Sequence, residues 1–338
     1  MRDRIVYIPY QNIYSINNRY SINMINILEQ RYYVRFKMAK LTEVFDILDT
    51  KAIILNWVET ELDDQMKKNI LWHRLLGVKI IWVFHNKYPH DTHKEEKITK
   101  NIRWLANNST VIILHSKHSR QFVPDMKKNK SKLVYVPHIE YKDQSAWINA
   151  HKVRMGYDIA EDAFVFCMFG FLSPYKKFEN AIETFQKLHL EKAKLIIAGM
   201  PCDEVYAEKL VKMCEGDKDI VLDFRYLSDM ELNELLAISD VVIIPYINES
   251  SMNSGVMIQS FSCGNTVIVS DFAMARDYAE QNFFYGYSKS LEKAMKKAYM
   301  NGKERNKLMG KRAKKYMNTH NNEEIVRDKL YDILDNKH

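Results

Sequence analysis

The chain has 338 residues, 46% apolar and 28% charged, with 50 Lys and Arg against 43 Asp and Glu for a net charge of +7. These proportions suit a soluble globular protein, and the length is great for one core, so two domains are expected. A bilayer-spanning or disulfide-stapled secreted chain is disfavoured. The longest apolar run, Ala163–Leu172, is too short, Met1–Ile5 lacks a signal-peptide core, and Cys167, Cys202, Cys214 and Cys263 form no C-x-x-C pair and read as free thiols of a reducing cytosol.

In chain order, Ile5–Ile8 reads as a strand stopped by Pro9, and Arg19–Gln30 as a helix with Ile22, Ile25 and Leu28 on one face. Strands are expected at Tyr32–Phe36, Ala52–Trp57, Val78–Phe84, Thr110–Leu114 and Lys132–Val136, with helices at Glu61–Leu76 and Lys94–Ala106. A helical or linker stretch, Trp147–Tyr157, opens the second half. There the strands Ala163–Gly170, Ala193–Ala198, Ile220–Phe224, Asp240–Pro245, Thr266–Ser270 and Phe283–Tyr287 alternate with helices Phe178–Leu188, Tyr206–Cys214, Met230–Ile238, Val256–Ser262 and Phe272–Glu280. The tail from Ser290 is helical and rich in Lys and Arg as far as Lys315. Such alternation argues for parallel sheets covered on both faces, hence an α/β fold of two doubly wound, Rossmann-like domains facing a cleft, with a boundary between residues 140 and 155. Ligands of such sheets bind at the carboxyl ends of strands.

Two such ends stand out. Val78–Phe84 runs into His85-Asn86-Lys87-Tyr88-Pro89-His90-Asp91, a cluster of titratable groups. The stretch Pro245–Ser270 reads as loop, helix and strand, with small residues at the helix start and Gly264 suited to the left-handed position past its end. Free N–H groups and the positive dipole end make such a start an anion site, though an ordinary polar βαβ connection has the same composition.

The charge is uneven. Residues 1–150 hold 24 Lys and Arg against 15 Asp and Glu, and residues 151–338 hold 26 against 28. A basic first half suits an anionic membrane surface, a phosphate-bearing lipid or a nucleic acid, and suits equally a solvated surface without a partner. No signature of an RNA or DNA module is present, and most of the aromatic residues sit in apolar runs, so nucleic acid is not expected.

Gly170-Phe171-Leu172-Ser173-Pro174-Tyr175-Lys176, Ile196–Gly199, Ser239–Tyr246, Ser254-Gly255 and Ser262–Asp271 resemble, in order and spacing, the donor domain of GT-B glycosyltransferases, the large bacterial group that uses nucleotide-sugars. The likeness is strong over residues 163–275 and weaker over 78–140, where Val83–His90 is similar to an acceptor-domain motif of polysaccharide-building members. The resemblance implies an acceptor-binding domain at 1–145, a donor-binding domain at 146–318, and a C-terminal helix, 319–338, that packs back on the first domain. It implies a UDP- or GDP-sugar as donor and a saccharide or lipid-diphosphate-linked acceptor, in surface polysaccharide synthesis at the cytoplasmic face of a membrane, with no metal or other cofactor.

Residue by residue, Lys176 falls on the family's phosphate-binding lysine, beside Gly170, while the Arg that commonly accompanies it is Phe171 here. Asn253, Ser254, Gly255 and Val256 would give N–H groups to the diphosphate, and Arg225, Tyr226 and Leu227 fall where the nucleobase lies. The paired glutamates of many retaining members are Ser251 and Gln259 in this chain. Gln259 keeps a hydrogen bond for ribose, Glu249 is the nearest substitute carboxylate, and an inverting reaction with a general base gains ground. His85, His90 and Asp91 are the base candidates, while His115, His118 and His138 have no spacing argument and read as structural. A nucleotide-sugar epimerase of the same fold, which needs no acceptor, is the rival reading, and a nucleic-acid-binding protein the more distant one.

Overall fold

Two six-stranded sheets, parallel throughout the described strand pairs, carry the chain in a computed structural model that describes residues 3–8, 18–36, 50–60, 62–85, 95–124, 132–246 and 252–336. The chain divides into two units, one of Met1–Ile139, Glu249–Asn253 and Asn321–His338, the other of Glu140–Asn248 and Ser254–His320. The α/β class and the Rossmann-like sheets expected from the alternation are present in both.

In the first unit, Arg4–Ile8 (β1), Tyr33–Phe36 (β2), Thr50–Asn56 (β3), Lys79–Phe84 (β4), Val111–Leu114 (β5) and Lys132–Tyr135 (β6) lie in the order β2-β1-β3-β4-β5-β6. Its helices are Arg19–Glu29 (α1), Asp64–Leu75 (α2) and Glu95–Asn108 (α3). Asn18 starts α1 by accepting the Tyr20 N–H at 2.9 Å, and Asp63 starts α2 by accepting that of Met66 at 2.7 Å. The helix Glu323–Asp335 belongs to this unit, where Val326, Leu330, Ile333 and Leu334 are buried in one core with Ile5, Tyr7, Ile54 and Ile81. Lys79 Nζ donates to the carbonyls of Ile333 and Leu334 at 2.8 and 2.9 Å, placing a cation on the negative end of that helix.

The second unit holds Phe164–Phe169 (β7), Ala193–Ala198 (β8), Ile220–Asp223 (β9), Val241–Ile244 (β10), Thr266–Ser270 (β11) and Tyr285–Tyr287 (β12), in the order β12-β11-β10-β7-β8-β9. Its helices are Ala150–Gly156 (α4), Phe178–Leu188 (α5), Glu204–Met213 (α6), Asp229–Ile238 (α7), Gly255–Cys263 (α8), Ala273–Asp277 (α9) and Leu291–His320 (α10). Side chains alternate across β7: Val165, Cys167 and Phe169 enter one core, and Phe164, Phe166 and Met168 enter the core on the other face. The strand order reverses beside β7, which builds outward through β8 on one side and meets β10 on the other. The crevice at that reversal, outside the carboxyl ends of β7 and β10, is where such sheets take a ligand.

Three elements differ from the sequence reading. The helix expected to run to Glu280 stops at Asp277 and gives way to a 3-10 turn, Ala279–Gln281, closed by Asn282 at φ +54. The basic tail is bent rather than continuous, because Gly302 at φ +71 interrupts α10. The strand expected to include Trp57 stops at Asn56, and Trp57 turns to φ +48, a left-handed backbone that costs a bulky residue about 1–2 kcal/mol. All four cysteines are free thiols, and among the described residues no helix is long and apolar enough to cross a membrane.

Leu330 is 1% exposed in the first unit's core. Leu330→Ala is expected to cost about 2–5 kcal/mol, measured by urea unfolding. A loss under about 1 kcal/mol would mean that the C-terminal helix does not complete that core.

Candidate active site

In the second unit three segments meet at the carboxyl edge of the sheet. Gly170 follows β7 with φ +103, a backbone that favours glycine. A Cβ there would stand 3.2 Å from Lys176 Nζ and 3.5 Å from Val256 Cγ2, so the loop after β7, the 3-10 turn Pro174–Lys176 and the start of α8 converge on one point. Gly199, at the end of β8, is pressed closer still: a Cβ on it would lie 2.1 Å from the Gly170 carbonyl oxygen. Its N–H donates to the Asp223 carbonyl at 2.9 Å, which aligns the ends of β7, β8 and β9.

Lys176 is 6% exposed, and burial lowers its pKa to about 8. Among the described residues its ammonium has no carboxylate and no hydrogen-bond acceptor. The faces of Tyr175 and Tyr246 lie 5.9 and 5.8 Å from Nζ, a cation–π setting that compensates only in part. Ser254 starts α8, its hydroxyl accepting the Met257 N–H at 3.1 Å. The N–H groups of Gly255 and Val256 have no acceptor among the described residues, and they open the positive end of the helix beside Lys176. A cation and two free N–H donors around a glycine that leaves room for close approach are the chemistry of a phosphate site.

Further along the same edge, Arg225 Nε donates to Asp223 Oδ1 at 2.8 Å, and its Nη1 pairs with Glu231. Asp223 also accepts the Tyr157 hydroxyl at 2.8 Å. Arg225 is therefore fixed, while Tyr226 projects into solvent and Leu227 is buried. Gln259 lies buried on α8, and its Nε2 has no partner among the described residues. Asn253 is grouped with the first unit and donates Nδ2–H to the His85 carbonyl at 3.0 Å. Glu249 and Ser251, like His90 and Asp91, lie outside the described residues.

The first unit gathers three histidines. His85, His115 and His138 follow the neighbouring strands β4, β5 and β6, so the parallel register sets them side by side, with His115 centred 5.4 Å from each of the others. His85 stacks on Trp57 at 4.0 Å and donates Nε2–H to Asn56 Oδ1 at 2.9 Å, and both partners come from the end of β3. The left-handed turn at Trp57 thus lays its ring on the histidine. His115 Nδ1 donates to the Val136 carbonyl at 2.8 Å, so its Nε2 accepts from the Tyr20 hydroxyl at 2.7 Å. Burial first, then the neighbouring histidines, lowers His85 well below the usual range; burial and His138 lower His115 to about 3, and burial lowers His138 to about 4. All three rings are neutral at pH 7. His115 and His138 were legible as a group only through strand-end register, a signal that residue spacing does not carry. Tyr175 and Tyr246, which wall Lys176, were missed because they look like ordinary loop aromatics.

Two outcomes follow from these charges. Folded Lys176 loses its proton near pH 8 and the unfolded side chain near 10.5, so the burial penalty is complete below pH 8 and disappears as pH rises to 10.5. Lys176→Met is therefore expected to raise unfolding free energy at pH 7 by up to roughly 3 kcal/mol, the advantage fading above pH 8 in a series of urea melts. A destabilised Met variant would mean that the ammonium is paired after all. The histidines have the opposite sense. Unfolded rings take up protons below about pH 6.5 while the folded ones stay neutral, so stability falls as pH drops from 6.5 towards 4, by up to about 1.4 kcal/mol per pH unit for each ring. His115→Gln should remove about a third of that slope, and an unchanged slope would contradict the buried neutral cluster.

Residues 150–316 match the family described as Glycosyl transferases group 1. No curated protein sequence matches the chain. Among solved structures, HepE of Anabaena in complex with UDP is similar at 11% identity, over 98% of this chain and 99% of that one, with a TM-score of 0.77. Sucrose-phosphate synthase of Thermosynechococcus elongatus is similar at 11% identity, over 98% of each chain, with a TM-score of 0.76. A UDP-forming trehalose-phosphate synthase of Burkholderia xenovorans is similar at 14% identity, over 99% of each chain, with a TM-score of 0.72. Residues 150–316 thus form a group 1 glycosyltransferase domain, and the two parallel sheets of the chain share the GT-B fold of these structures.

Proposed function

We propose that the chain transfers a hexose from a UDP-sugar to a hydroxyl of a saccharide acceptor, in the building of a surface polysaccharide. The observation that carries this reading is Lys176, a buried ammonium with no acceptor among the described residues, set beside Gly170 and the start of α8. A nucleoside diphosphate supplies the missing negative charge. UDP is favoured over GDP because HepE has been solved with UDP and with UDP-glucose.

In this reading the acceptor oxygen attacks the anomeric carbon, and the bond from that carbon to the β-phosphate oxygen breaks. UDP leaves with the electron pair, and its charge is met by the Lys176 ammonium and the N–H groups of Gly255 and Val256. No metal is called for. Gln259 hydrogen-bonds the ribose, and Arg225 with Tyr226 borders the uracil. The first unit takes the acceptor. Its low basicity makes His85 a hydrogen-bonding contact for a sugar hydroxyl rather than the base, which leaves His90 and Asp91 to take the acceptor's proton. The excess of Lys and Arg in residues 1–150 supports a lipid-diphosphate-linked acceptor at an anionic membrane surface.

The test is calorimetric titration of wild-type and Lys176→Ala protein with UDP, GDP and their sugars. UDP is expected to bind wild type and to bind the variant at least tenfold more weakly, and UDP release from the UDP-sugar should require a saccharide acceptor. Absence of nucleotide binding to folded wild-type protein would overturn the donor reading, and turnover without an acceptor would favour the epimerase.

A further inference from the structure

A second charged site lies in the same unit, away from the donor residues. A cavity of about 950 Å³ opens where Asn282 and Tyr285 lead into β12 and where α10 bends. Gly170 and Ser254 follow the carboxyl ends of β7 and β10, whereas Asn282 precedes the amino end of β12. In a parallel sheet these are opposite edges, so the cavity and the donor residues are separate.

Five cations line the cavity, Lys297, Arg305, Lys307, Lys311 and Arg312, against one carboxylate, Glu304. None of the five makes an ion pair or hydrogen bond among the described residues. The concentration is local. Leu291–His320 carries ten Lys and Arg and two Glu, while the rest of the second unit has 14 Lys and Arg against 22 Asp and Glu. A solvated basic helix would spread such charges round its exposed face. Here the break at Gly302 turns the helix so that Lys297, before it, and Arg305–Arg312, after it, face one hollow. Arg305 and Arg312 are seven residues apart, about 10 Å along a helix, further than one phosphate reaches. Like charges held together without counter-charges repel one another, and a ligand with several anionic groups removes that cost. Arginine forks suit phosphate oxygens in particular.

We propose that this cavity binds a ligand bearing at least two phosphate groups, independently of the donor nucleotide. Clustered phosphates reach a protein either on a soluble molecule or as the headgroups of an anionic bilayer, and the cavity reads the chemistry they share.

The experiment uses full-length wild-type protein, Lys176→Ala, and the double variant Arg305→Glu/Arg312→Glu. Each is titrated with sodium tripolyphosphate by calorimetry and sedimented with vesicles of phosphatidylcholine, with and without phosphatidylglycerol. A tripolyphosphate site common to wild type and Lys176→Ala is expected, weakened as salt rises and at least tenfold weaker in the double variant; any binding lost in Lys176→Ala alone belongs to the donor residues. An unchanged melting temperature in the double variant shows that it is folded. Retention on phosphatidylglycerol vesicles, released by tripolyphosphate, supports the lipid as source, and tripolyphosphate binding without retention supports a soluble one. The proposal is overturned if tripolyphosphate fails to bind folded wild-type protein or if the double variant binds as wild type does. Because Lys176→Ala keeps this site, failure of the donor reading and failure of this one are told apart.

Discussion

The close approach of Gly199 to Gly170 is the constraint on which the second unit's chemistry rests. Two strand ends can come this near only because Gly199 has no Cβ, and the Gly199 N–H then reaches Asp223 on the next strand. The ends of β7, β8 and β9 are thereby drawn level, and Lys176 is folded over Gly170 instead of pointing into solvent. Burial follows from that geometry, and with it the low dielectric that makes an unpaired ammonium a strong attractor for an anion. The start of α8 is delivered to the same place by strand order, since β10 lies directly beside β7.

The first unit answers the same question in the opposite way. Its carboxyl edge also carries titratable groups, and the three described histidines among them are kept neutral. Each histidine gives a proton to a fixed acceptor: His85 to Asn56, His115 to the Val136 carbonyl and His138 to the Ile139 carbonyl. A neutral ring that donates through one nitrogen keeps a lone pair on the other, so His115 can accept from Tyr20 and the cluster is satisfied without charge. Among the described residues, the histidines at the first unit's edge are thus neutral where Lys176 at the second unit's edge is cationic.

Much of this was legible in the residues. The βα alternation carried the fold class, because buried parallel strands such as Val241–Ile244 and Thr266–Ser270 are short runs of apolar and β-branched residues that need no tertiary context to be recognised. Gly264 was expected in a left-handed position and takes φ +85 there. The loop after Gly170, with Lys176, was singled out by its resemblance, and the structure adds the reason that the lysine is buried. What stayed hidden depends on neighbours far away in sequence. The histidine cluster exists because three separate strands end level, and the bend at Gly302 exists because one glycine in a helix-rich tail adopts a backbone that its flanking Lys and Arg do not announce. His90, Asp91 and Glu249 lie outside the described residues.

Burial alone does not decide what a titratable side chain is for; its partners do. Lys176 and His115 are similarly enclosed, yet one is charged without a described acceptor and the other is neutral with every ring nitrogen occupied. The first arrangement costs free energy until an anion arrives, which is what a binding site requires. The second costs nothing until protons arrive, which is what a framework requires. The cations around the α10 cavity are a third case. They are exposed, so water screens them and each repels the next only weakly, and the force of the cluster lies in number and convergence. Binding there should fade quickly with added salt, whereas an anion on the buried Lys176 should hold, because salt screens enclosed charges far less than exposed ones.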